Sequence, residues 1–73
     1  MTDIEEELGK AEMLLAQEDF EKARKKFGDI IKANPDSARA HFGKAEASMG
    51  LQKVSADEIM ELYKKAWELE PDN

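Results

Sequence analysis

Gly9-Lys10-Ala11-Glu12 recurs as Gly43-Lys44-Ala45-Glu46, 34 residues later, and this internal repeat constrains the chain more than any other feature. A period in this range marks stacked supersecondary units, none of which can bury its apolar face alone. The register extends outward: Leu8 matches Phe42, and Leu15 matches Met49. Pro35-Asp36 returns as Pro71-Asp72 at a spacing of 36, so the second unit carries two extra residues after Glu46. The turn around Lys53 to Asp57 is the simplest place for them. The 73 residues are therefore expected to form a single domain, 1–73, of two repeats, about 4–37 and 38–73.

Apolar spacing and cap chemistry predict two helices in each repeat. The first runs from about Asp3 to Gln17, with Thr2 and Glu5 as a capping box and Ile4, Leu8, Ala11 and Leu15 as its stripe. The second runs from about Phe20 to Ala33, capped by Asp19 and stopped by Asn34-Pro35, because the residue before a proline is pushed out of helical geometry. The third runs from about Ser37 to Leu51 with Asp36 as its cap. The fourth runs from about Ala56 to Leu69, opened by a Ser55/Glu58 capping box and closed by Glu70-Pro71. No segment alternates with the period of two that a half-buried strand requires. Connections of three to five residues make neighbouring helices antiparallel. The fold class is thus all-α, with Ala11, Ala23, Phe27, Ile30, Ala45, Ile59, Tyr63 and Ala66 as the expected core.

Charge narrows the function classes. The net charge is −6, and both halves are acidic, so nucleic acid and anionic membranes would be repelled. With no cysteine, disulfides and thiolate metal sites are impossible. The opening Met-Thr-Asp-Ile-Glu-Glu-Glu lacks the basic and apolar regions of a signal peptide, and no apolar run reaches membrane-spanning length, so the cytoplasm is the expected compartment.

The period, the helical hairpin in each unit and the closing proline together resemble the tetratricopeptide repeat. Asp19-Phe20-Glu21-Lys22-Ala23, Phe27, Ile30 and Asn34-Pro35-Asp36-Ser37 follow that family's pattern closely. Ile59, Tyr63, Ala66 and Pro71 keep the same spacing in the second repeat, Ile59 being bulkier than the usual alanine. The first helix of each repeat departs from it. Where the family places W-x-x-L-G-x-x-Y, this chain has Glu7, Lys10, Ala11 and Leu14, then His41, Lys44, Ala45 and Ser48. Its strongest apolar positions fall one residue later, which is about 100° of rotation. Either these helices are turned, or Leu8, Leu15, Phe42 and Met49 line the inner groove.

No constellation for catalysis emerges. His41 has no partners at metal-ligand spacing, so it reads as a packed or half-exposed structural residue. Ser37, Ser48 and Ser55 lack the base that nucleophilic catalysis needs. The Gly-Lys pairs are not a phosphate loop, because alanine follows each lysine. Gly9 and Gly43 weaken their helices, which points to close helix approach. Glu5-Glu6-Glu7 reads as favourable placement at a helix N-terminus, Arg24-Lys25-Lys26 as a solvated outer face, and Asp57, Glu58 and Glu61 as capping and surface charge. An enzyme is not expected, nor a cofactor or metal.

The resemblance implies a protein-interaction module whose first helices line a concave groove for a peptide or partner helix. Leu8, Glu12, Leu15, Arg39, Phe42, Glu46 and Met49 would form it, apolar with an acidic rim and one cation. Leu8 and Glu12, then Gly43 and Glu46, replace the Lys and Asn with which some members clamp a C-terminal carboxylate. The expected ligand has apolar anchors with Lys or Arg beside them. The same four apolar residues would equally serve as core. An alternative reading is a structural or assembly element. The apolar arc of the fourth helix spans about 180°, wider than one neighbour covers. Met60 and Trp67, at its edge, are expected to pack on a second copy or on flanking repeats.

Overall fold

A computed structural model describes residues 3–70. The described residues form four helices: α1 (Ile4–Ala16), α2 (Phe20–Ala33), α3 (Ala38–Leu51) and α4 (Ala56–Leu69). No strand occurs among the described residues. The bounds of α2 and α4 are those expected from caps and prolines. Two starts differ. Asp3 caps α1, its carboxylate accepting from Glu5 N at 3.0 Å, while Thr2 lies outside the described residues. Ser37, not Asp36, caps α3, its Oγ accepting from Ala40 N at 3.2 Å. In each case the residue immediately before the first helical residue holds the acceptor that reaches an orphan N–H. Ser55 caps α4 through Glu58 N at 3.2 Å, but the Glu58 carboxylate turns to Arg24 instead of closing the box.

The repeat is visible in the backbone. α1 and α3 both unwind through a left-handed residue, Glu18 at φ 62° and Gln52 at φ 58°, and these two stand 34 residues apart. Asp19 and Ser55, the next caps, stand 36 apart. The inserted pair is therefore Lys53-Val54, within the turn where it was expected.

α3 is the central helix, packing on α1, α2 and α4, whereas α1 and α4 do not meet. Small side chains allow this: Ala40, Gly43, Ala45, Ala47 and Ser48 of α3 are all buried. Two aromatic rings of α2 fill the space. Phe27 lies over Gly43 and Phe20 over Gly50, so the helices run antiparallel with matching steps of seven residues. A methyl group at Gly43 would overlap the Phe27 ring, and one at Gly50 would come within 2.5 Å of Phe20. Gly9 behaves differently. A methyl group there would meet nothing within 4 Å, so close approach does not explain it. Its outer face is open because the described residues put no helix over it.

The core joins Leu8, Ala11, Ala23, Phe27, Ile30, Ala40 and Ala47, with Ala45 and Ala66 buried beyond it. Ile59 and Tyr63, expected inside, are only half-buried, since α4 packs on α3 alone among the helices. His41 is a packed residue, 7% exposed, with Nε2 3.0 Å from the Pro35 carbonyl, tying α3 to the turn before it.

Candidate functional site

Between α1 and α3 lies a cleft of about 280 Å³ lined by Glu12, Leu15, Arg39, Phe42, Gly43, Glu46 and Glu70. Five of the seven residues expected in a groove meet here. Leu8 and Met49 do not. Leu8 is 2% exposed and belongs to the core, because its face of α1 turns onto α2 and α3. Met49 faces α4, with its sulfur 3.3 Å from the Tyr63 hydroxyl. Sequence equivalence misled here: Leu8 matches Phe42, yet Phe42 stays half-buried with its ring edge-on to Tyr63 at 5.9 Å. Glu70, which no pattern singled out, completes the cleft from beyond the end of α4.

The single cation of the cleft is already engaged. Arg39 donates to both Glu12 carboxylate oxygens, Nε at 2.7 Å and Nη2 at 2.6 Å, and to Glu5 Oε1 at 3.0 Å through Nη1. The paired, fork-like geometry is the strong form of this contact. It holds the Glu12 carboxyl below its usual range and raises the guanidinium's own pKa. Glu46 takes part in no ion pair among the described residues, so the α3 wall carries a negative charge beside Phe42. Burial, and secondarily the charge of Glu46, pushes the Tyr63 hydroxyl pKa up.

Other charged clusters have structural partners. Arg24 and Lys26, two residues apart, leave opposite edges of α2, since two residues turn a helix by about 200°. Arg24 donates to Ser48 Oγ at 2.9 Å and Glu58 Oε2 at 2.5 Å, spanning α3 and α4. Lys26 pairs with Glu7 of α1. The basic run is thus not a solvated face; of the three, Lys25 is the exposed one. Glu5, Glu6 and Glu7 likewise pair with Arg39, Lys10 and Lys26. Among the described residues no cluster of three or more acidic or histidine side chains could hold a metal ion, and no helix is long and apolar enough to cross a membrane.

A second surface has different chemistry. On α4, Met60 is 68% and Trp67 65% exposed. With Tyr63 they line a broad, shallow apolar hollow edged by Glu61, Lys64 and Glu68. No family model, curated protein or solved structure matches this chain.

Proposed function

We propose that the chain is a non-catalytic protein-interaction module of two tetratricopeptide-like repeats, which holds a partner segment in the cleft between α1 and α3. The observation carrying this reading is the convergence of Leu15 and Phe42 with Glu12 and Glu46 in one concave surface. The repeat architecture is supported by burial at the positions the family keeps for its small and aromatic residues: Ala11, Ala23, Phe27 and Ala45 are fully buried. An apolar floor with a carboxylate on its rim suits a segment carrying apolar anchors and a neighbouring Lys or Arg. Because Arg39 engages Glu12, Glu46 on the α3 wall is the carboxylate we assign to pairing with that Lys or Arg.

The test is anisotropy titration of a labelled peptide alternating Leu and Phe with Lys, against its Glu-substituted counterpart. The basic peptide should bind more tightly, and Glu46→Lys should remove the preference, more at low salt than at high. Equal affinity for both peptides at either salt overturns the reading.

Exposure of Met60 and Trp67 favours a second reading, association through the end faces. A contiguous exposed apolar patch of this kind is characteristic of association surfaces.

A further inference from the structure

We propose that the outer face of α4 docks on the outer face of α1 of a second copy of this chain, head to tail, repeating between copies the packing that α2 makes on α3 within one. This rests on the end-face reading above and names its occupant.

The internal interface is the template. α4 follows α2 by 36 residues, and α3 follows α1 by 34. Phe27, seated over Gly43, corresponds to Tyr63, and Gly43 corresponds to Gly9. Tyr63 forms a T-shaped pair with Phe42 of its own hairpin, donates to the Met49 sulfur, and otherwise borders the open hollow with Met60 and Trp67. Gly9 is the matching vacancy, with no atom within 4 Å of where a side chain would start. It lies in a second shallow hollow with Met13 and Leu14, and Met13 is 60% exposed.

The substitutions on the two faces are complementary. Inside the chain, Arg24 Nε donates to Ser48 Oγ at 2.9 Å. The counterparts of this polar pair are Met60 on α4 and Leu14 on α1, both apolar. Buried Ala47 corresponds to exposed Met13, and half-buried Ile31 to exposed Trp67, so both outer faces carry more apolar surface than their internal equivalents. One pairing opposes docking. Gly28, where an added methyl group would come within 3.9 Å of Lys44 Nζ, corresponds to Lys64, so Lys64 would approach Lys10. Glu6 and Glu7, at 3.7 and 3.5 Å from Lys10, blunt that repulsion. Reversing the charge at Lys10 should therefore tighten the contact. A head-to-tail contact uses two different patches, so each copy keeps one patch open for the next and the assembly extends beyond a dimer, as a ring or a filament.

The experiment is sedimentation of the full chain with Trp67 emission followed over concentration, using Gly9→Leu and Trp67→Glu. Both positions are open, so both variants should keep their helical content by circular dichroism. The wild type should form oligomers larger than dimers, with Trp67 emission shifting to the blue. Each variant alone should weaken association by about tenfold or more, and Lys10→Glu should strengthen it. Mixed, the two variants should form a one-to-one complex that grows no further, reported by Trp67 of the Gly9→Leu chain. If Gly9→Leu associates like the wild type while Trp67→Glu does not, α4 pairs symmetrically with α4; head-to-tail docking is then overturned and the end-face reading survives. A wild-type chain that stays monomeric to about 1 mM overturns both. So does unchanged association of Trp67→Glu. Failure of the mixed variants to combine overturns the head-to-tail geometry.

Discussion

Gly9 and Gly43 are the same position of the repeat, yet alanine at the two should shift stability in opposite directions. Glycine in a helix interior is less favourable than alanine by about 1 kcal/mol. At Gly9 an added methyl group meets nothing, so Gly9→Ala should recover most of that amount. For a domain this small, about 1 kcal/mol raises the melting temperature by about 4–8 °C. At Gly43 the same propensity gain is offset by overlap with three atoms of the Phe27 ring. Phe27 is completely buried, so the ring cannot swing into solvent and the helices must separate. Overpacking of this kind costs about 1–3 kcal/mol, and three overlapped ring atoms place it near the upper end. Gly43→Ala should then lose about 2 kcal/mol net, leaving the two variants about 3 kcal/mol apart. Urea unfolding followed by far-UV circular dichroism at low micromolar concentration measures both without interference from association. Gly43→Ala as stable as the wild type would refute the seating of Phe27 on α3. A destabilising Gly9→Ala would refute the open outer face of α1.

Ser37→Ala should cost about 1 kcal/mol through loss of the α3 cap, while Asp36→Ala should be nearly silent; the reverse order in urea unfolding would return the cap to Asp36. Lys26, through its hydrogen bond, holds the Glu7 carboxyl below its usual range, as Arg39 does Glu12. A lowered folded pKa contributes stability that is complete above the unfolded value, about 4.3, and is lost as pH falls through the folded one. Stability should therefore decline on acidification below about pH 4.3, less steeply in Glu12→Gln, and an identical acid profile in that variant would remove Glu12 from the account.

Local chemistry settled what the sequence could show. Proline, with its effect on the residue before it, ends α2 at Ala33, and the pattern of turn residues and apolar spacing locates α2 and α4, although the Asp19 side chain makes no cap hydrogen bond. The 34-residue period located the repeat and bracketed the Lys53-Val54 insertion, because the same pattern of caps and apolar positions favours the same local structure in both halves. Five residues of the cleft were legible through the resemblance to the tetratricopeptide repeat. What a period cannot supply is surroundings. Leu8 and Phe42 are equivalent in sequence, but α1 turns Leu8 into the core while Phe42 looks across to α4. Gly43 is covered by Phe27, and Gly9 is open. Arg24 and Lys26 read as surface charge until α1, α3 and α4 bring Glu7, Ser48 and Glu58 to them. Each of these outcomes depends on contacts between residues 16 or more apart in the chain, and it is the stacking of helices around α3, with α1 and α4 each left one face short of a neighbour among the described residues, that decides them.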